Sequence, residues 1–347
     1  MTRGCLMRIA VAAVAALTLG VSSVSGVAWG QAAEFYKGKQ IKLVVGNAAG
    51  GDYDLGARTL ARHMGRHLAG APSIVVQNMP GASGNNSATF LYSVAPKDGT
   101  VFGSFSRNLP SQAALGRMKT IDPRLFAWIG ATSLPSRICV SSQTSEVKTA
   151  EDVFNKELIV GSTGLNSVQS IVPSVLNKIV GTKFHVVEGY RGIGEIMIAL
   201  ERGEVQGVCH LLSVFEGTYA DMLQQGKIRP LFNVEDATID SLPGMPSIYA
   251  YAKDAESKQF LRFVFSSAEF GRPYAAPPGT AEPRVAELRQ AFAAALADPE
   301  LIAEANKIKL DMKYRTATDL ATLTHALFAT SPDLLKRIDE LLPEVRD

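Results

Sequence analysis

The sequence predicts an α/β fold of two lobes, each a mostly parallel sheet flanked by helices, with further helices at the C-terminus. Three observations carry this reading. Short β-branched runs are followed by small-residue turns and then by apolar positions at helical spacing. That βαβ rhythm restarts after Cys139. The last third is mostly helical in pattern, and two lobes fit the usual size prior for the about 315 residues that follow the leader.

The leader comes first. Arg3 and Arg8 form a basic start, Ile9 to Val21 is a short apolar run, and Ser22 to Ala33 offers cleavage after Gly30 or Ala32. This is the pattern of a secretory signal peptide, residues 1–30, and it predicts a soluble exported protein, in a bacterium a periplasmic one. A net charge of +2 with 20% charged residues argues against nucleic acid as a partner. No later segment is long and apolar enough to span a bilayer.

The first lobe is read as residues 31–137, completed by part of 229–347. Ile41 to Val45 is its opening strand. A turn, Gly46 to Gly51, leads to a helix that Asp52 or Asp54 can cap, with Leu55, Leu60, Met64 and Leu68 on its apolar face. Bare N–H groups at such a helix start, together with the helix dipole, attract a small anion. No Lys-Ser or Lys-Thr follows the glycines, and their spacing is not that of a dinucleotide fold, so the turn is not a nucleotide loop of either common kind and small-anion binding is what remains. Ser73 to Gln77 is the next strand, Asn86 to Val94 a helix, Pro96-Lys-Asp-Gly99 a turn and Val101 to Phe105 a third strand.

The second lobe is read as residues 138–228. Its units are a helix around Glu151 to Phe154, the strand Leu158 to Gly161, the turn Ser162-Thr-Gly-Leu-Asn-Ser167 and the helix Val168 to Val180. The strand Lys183 to Val187, the helix Ile193 to Arg202 and the strand Val205 to His210 follow. Residues 281–347 are read as covering helices, opening at Pro283, Pro299 and Pro332. Two facing lobes place such turns around a cleft at the carboxyl ends of their strands.

Several side chains have two readings. Arg107 follows the third strand and can offer a carboxylate a planar double donor, or be a solvated surface group. Arg191 is a weaker case. Ser83, Ser106, Ser162, Thr163 and Ser167 can donate hydroxyls to a ligand or simply cap helices. His210 ends a strand near the expected cleft. His63 and His67 lie four apart on a helix, but Arg62 and Arg66 beside them repel a cation, so a solvated helix face is expected and no metal site. Cys139 and Cys209 sit in apolar strand patterns and are either a disulfide or two buried thiols. No nucleophile elbow exists.

The motifs together resemble a known family. Phe35-Tyr-Lys-Gly-Lys39, Gly50-Gly-Asp-Tyr-Asp-Leu-Gly-Ala-Arg58, Gln77-Asn-Met-Pro-Gly-Ala-Ser-Gly84 and Ala95-Pro-Lys-Asp-Gly99 stand in order. Gly189-Tyr-Arg-Gly192, Leu200-Glu-Arg-Gly-Glu-Val-Gln-Gly207 and Ala276-Pro-Pro-Gly-Thr280 complete the series. In order and spacing the chain resembles the Bug-type substrate-binding receptors of tripartite tricarboxylate transporters. The resemblance implies a two-lobed periplasmic binding protein fold of type II-like form, hinge closure on a small organic carboxylate, and delivery to integral-membrane transporter subunits. It implies a monomer with no enzymatic step and no cofactor. Carried onto this chain, Asn47, Ala48, Ala49, Gly50 and Gly51 face the segment Ser162 to Ser167 as opposing jaws, with Ser162, Thr163, Gly164 and Ser167 its binding residues. Tyr53, Asp54, Tyr190 and His210 fall near them, Asp54 fixing the first turn. The first loop lacks the family's usual prolines and carries Asn47, whose amide is an added donor or acceptor. Rival readings are a binding protein for an ABC importer or sensor kinase, and an exported hydrolase or isomerase.

Overall fold

The structure, a computed structural model, describes residues 35–341 apart from 134, 166 and 237, and omits the Ser83 side chain. The expected signal peptide lies outside the described residues. Among them the strands are β1 (Gln40–Val45), β2 (Ser73–Asn78), β3 (Val101–Ser104), β4 (Ala127–Thr132), β5 (Arg137–Ser142), β6 (Leu158–Gly161), β7 (Phe184–Val187), β8 (Gly207–Leu211), β9 (Ile228–Asn233), β10 (Arg272–Ala276) and β11 (Tyr314–Thr316).

They form two sheets, of order β11-β4-β10-β3-β1-β2 and β7-β6-β8-β5-β9. The α/β reading holds, and both sheets are mixed. β1 pairs parallel with β2 and β3, and β6 parallel with β7 and β8, as the βαβ pattern predicts. Antiparallel strands complete each sheet: β10 between β3 and β4, β11 beside β4, and β5 between β8 and β9. The chain passes from one sheet to the other after Thr132 and returns between Asn233 and Arg272.

Helix Asp52–Met64 buries Ala57, Leu60 and Met64 completely, against β1 and β2. Leu55, expected on that face, is 42% exposed. Its face meets solvent in the helix's first turn. Helix Ala255–Phe270 packs on helix Leu109–Ala114 of the first lobe and helix Val168–Ile179 of the second. Phe265 and Phe270 belong to one buried cluster that also holds Phe105 and Trp128 on one side and Val172 and Leu176 on the other. Burying a phenylalanine side chain contributes ~1.5–3 kcal/mol, so this helix is a main energetic link across the molecule.

The C-terminal part is more than covering helices. β10 inserts into the middle of the first sheet, although Pro273 marks it as a poor central strand. At Pro273 the strand pairs only with Ala131 of β4, because its pairing with β3 covers Tyr274 and Ala275 alone. Helices Glu282–Leu296, Pro299–Lys307, Ala317–Phe328 and Pro332–Leu341 follow. No helix among the described residues is long and apolar enough to cross a membrane.

Candidate functional site

The first small-residue turn is held from behind by a polar network. Gly51 is the N-cap of helix Asp52–Met64 without a side-chain cap bond, so neither Asp52 nor Asp54 caps it as expected. Asp54, 2% exposed, instead accepts from the Gly50 N–H at 2.9 Å, from Arg58 Nε at 2.9 Å and from Asn78 Nδ2 at 2.8 Å. The same Asn78 amide donates to the Asn47 carbonyl at 2.9 Å, and its oxygen accepts from Arg58. Burial pushes the Asp54 carboxyl up, but the hydrogen bonds from Arg58, Gly50 and Asn78 outweigh it and hold it below the usual carboxylate range. Asp54 is thus occupied with the turn, and Gly50 is not among the turn's free donors. Asn47 is half-buried and its side-chain oxygen has no partner among the described residues. Ala48, Ala49 and Gly51 are exposed.

Glycine is required in this turn for two reasons. Gly46 donates to the Ser104 carbonyl, and a Cβ there would lie 2.5 Å from Ser87 Oγ and 2.8 Å from the Gly84 carbonyl. Gly50 has φ +87°, which side chains rarely adopt.

Tyr53 links this turn to the third one. Its hydroxyl accepts from the Arg107 N–H at 3.3 Å and faces the Gly271 carbonyl at 3.5 Å. Burial raises its pKa, against the opposing charge of Arg107. Ser106 is half-buried, and its hydroxyl accepts from the Asn108 N–H at 3.3 Å. Arg107 is exposed, and no carboxylate pairs with its guanidinium among the described residues.

The second turn is also largely self-satisfied. Ser162, expected to reach ligand, is fully buried, with its hydroxyl 2.6 Å from Ser170 Oγ and 3.0 Å from Ser167 Oγ. It also accepts from the Gly164 N–H at 3.1 Å. Ser167 caps helix Val168–Ile179 by accepting from Ser170 N–H, and Ser170 passes the chain on to Glu188. Thr163 reaches Gln169 at 3.5 Å. Of the residues expected to bind in this jaw, Thr163, Gly164 and Ser167 keep part of their surface free, and Leu165 between them is 69% exposed. Tyr190 donates its backbone N–H to the Ser162 carbonyl, and its half-buried ring packs on the second lobe's apolar cluster. Arg191 pairs with Glu195 at 2.6 Å.

A cavity of about 250 Å³ opens between the lobes. Arg107, Asn108 and Ser111 line it from the first lobe; Val168, Ile171, Val172 and Leu211 from the second. Val264 and Phe265 close it from helix Ala255–Phe270. Of the residues expected at the site, only Arg107 is on its wall. The two small-residue turns are not, and His210 is one residue short of it. His210 is half-buried, accepts from Leu211 N–H through Nδ1 at 2.8 Å, and has its pKa lowered by burial.

Arg137 also reaches the cavity wall, and sequence reasoning missed it. It sits 7% exposed at the start of β5, where the chain has just crossed from the first sheet. It forms a two-pronged pair with Glu235, Nε to Oε1 at 2.8 Å and Nη2 to Oε2 at 3.1 Å, and donates to the Phe265 carbonyl at 3.1 Å. Burial opposes its charge, but Glu235 beside it outweighs that and raises its pKa. Glu235 lies two residues past β9, on the returning chain. The pair therefore clips the outgoing and returning segments together. Its partners are 98 residues apart, which no local pattern reveals.

Cys139 and Cys209 are directly paired across β5 and β8 and form a disulfide, both fully buried. The His63 and His67 face is solvated at His67, as expected, but buried at His63, and both imidazoles are paired. His63 is 7% exposed and meets Glu304 at 2.8 Å, and His67 meets Asp298 at 2.9 Å. His63, Asp298 and Glu300 converge in a way that resembles a metal site. Arg66 lies among them, however, donating to Asp298 at 2.9 Å and Glu300 at 2.6 Å and contacting His63 Nδ1 at 2.9 Å. An ion-pair stitch to the C-terminal helices fits these groups better than a cation does.

With two lobes, a crossing segment clipped in place and a cavity between them, the fold is that of the two-lobed periplasmic solute-binding proteins. The chain has TM-score 0.66 to a TctC solute-binding protein from Polaromonas, at 17% identity, covering 88% of this chain and 98% of that one. It has TM-score 0.51 to Rpa4515 of R. palustris with adipate, at 20% identity, covering 88% and 97%. In sequence it is 26% identical over 322 residues to a UPF0065 protein in the gbd 5' region of Cupriavidus necator, covering 90% of this chain and 91% of the relative. No family model matches the chain. The resemblance drawn from the ordered motifs thus extends over nearly the whole described length.

Proposed function

We propose that this chain is a periplasmic receptor that captures a small organic carboxylate and delivers it to a membrane transporter of the tripartite tricarboxylate type. The observation that carries this reading is Arg107, exposed and without a carboxylate partner among the described residues, on the wall of the cavity between the lobes. A guanidinium in that position offers a planar double donor to a carboxylate. The adipate held by the structural neighbour supports the ligand class. Binding works by hinge closure: a ligand touching both lobes stabilises the closed form by its difference in affinity for the two states. Thr163 and Gly164 on the second turn, and Ala48, Ala49 and Gly51 on the first, are the parts of the jaws that closure brings to the ligand. Asp54, Ser162 and Ser167 hold the turns in shape. No covalent step, metal or cofactor is needed for this work.

The test is a thermal-shift screen of the mature protein against a panel of carboxylates, followed by recovery of the ligand. A ligand at a hundred times its Kd adds about 2.7 kcal/mol of stability. A shift from one acid class, with the acid recovered unchanged, supports the receptor reading. Conversion of the acid to product favours an enzyme instead, and silence across the panel removes carboxylate capture altogether.

A further inference from the structure

Resting on the receptor reading, we infer that the captured acid carries a single carboxylate on an apolar alkyl or aryl body. The charge count on the cavity wall points this way. Two arginines line it, and no Asp or Glu does so among the described residues. Arg137 is already matched by Glu235 and the Phe265 carbonyl. Only Arg107 is left to neutralise a ligand charge.

The opposite wall is hydrocarbon. Val168, Ile171 and Val172 lie three and four apart, so they share one face of helix Val168–Ile179. Val264 and Phe265 meet that face from helix Ala255–Phe270. A ligand whose carboxylate sits on Arg107 therefore places its other end against aliphatic and aromatic carbon. A second carboxylate there would lose its water with no further unmatched cation on the described wall to replace it, and an unpaired buried charge is strongly disfavoured. An alkyl chain or a ring gains from the same contact. Asn108, Ser111 and Ser267 are neutral polar groups on the wall, suited to orienting a carboxylate or a hydroxyl without asking for more charge. The volume, about 250 Å³, lies below the ~300–1,000 Å³ usual for small-molecule sites and keeps the acid small. Selection of this kind sets the chain apart from the adipate-bound neighbour.

The test is calorimetric titration of the full mature protein with acids matched in skeleton: hexanoate against adipate, and benzoate against terephthalate. The monoacid of each pair is expected to bind at least tenfold more tightly. Arg107→Gln, at an exposed position where folding persists, is expected to weaken the monoacid at least tenfold. Val172→Thr is expected to weaken hexanoate severalfold more than acetate. Diacids binding as well as or better than their partners, or an Arg107→Gln protein with unchanged affinity, would overturn the single-carboxylate inference and leave the receptor reading intact. Failure of every acid to bind overturns both.

Discussion

Asp54 accepts a hydrogen bond from the Gly50 N–H at 2.9 Å, tying the third residue of the helix back to the turn before it. With Arg58 and Asn78 satisfying its other lone pairs, this buried carboxylate sets the shape of the first jaw. Asp54→Ala leaves the Gly50 N–H and Arg58 Nε without their acceptor and Asn78 Nδ2 with the Asn47 carbonyl alone. The loss is expected to be about 1–3 kcal/mol, since an unmet buried polar group costs that much. Urea denaturation measures it. Ligand affinity should fall further than stability accounts for, because the turn loses its shape.

Gly50→Ala places a side chain at φ +87°. The expected cost is about 1–2 kcal/mol, seen as a lower Tm with the far-UV spectrum unchanged. Ala48→Gly, two positions earlier in the turn and free of that constraint, should be close to neutral.

Removing one partner of the Arg137–Glu235 pair leaves the other charged and buried. Arg137→Ala is expected to cost ~3–5 kcal/mol, whereas the double change Arg137→Met with Glu235→Leu should be near neutral. Paired denaturation curves decide the matter: equal losses in the single and double variants would mean that the pair itself, rather than the unmatched buried charge left by one removal, carries the cost.

The Cys139–Cys209 disulfide closes a loop with a sequence separation of 70. Replacing both cysteines by serine is expected to cost ~2–4 kcal/mol. The change should abolish the difference in Tm between oxidised and reduced protein.

Acid should loosen the C-terminal helices. The Glu300 N–H, with His67 and Arg66, holds the Asp298 carboxyl at about 2, below its ordinary 3.8. A depressed pKa means that the folded state binds the proton less readily than the unfolded one. The stability it contributes is therefore complete above about 3.8 and is lost as pH falls through about 2. Urea midpoints at pH 5 and pH 2.5 measure this, and Asp298→Asn is expected to shrink the difference between them.

The parts of the molecule legible in its sequence are the local ones. β1, β2, β3, β6 and β7 with their following helices obey the strand and helix periods, and helix Ile193–Arg202 falls where the pattern places it. The antiparallel strands were harder to read for a physical reason. β10 is five residues with Arg272 and Pro273 at its start, and it becomes a central strand only by pairing with residues more than a hundred positions away. The site divides in the same manner. Arg107 was visible because it follows a strand, whereas Arg137 and the wall formed by Val264 and Phe265 depend on packing between lobes. Serines in the second turn carry the same letters whether they face a ligand or each other, and Ser162 faces Ser167 and Ser170.

The path of β10 has a consequence for the order of events as the chain emerges. Residues 137–233 contain every strand of the second sheet, so that sheet can assemble from one continuous stretch. The first sheet cannot: β3 and β4 stay apart until Arg272–Ala276 arrives to lie between them. Closing so long a loop is slow. Until then the exposed flanks of β3 and β4 are open to the wrong partner. A chain interrupted before residue 272 would hold one finished sheet and one split in two, a species prone to aggregation and proteolysis.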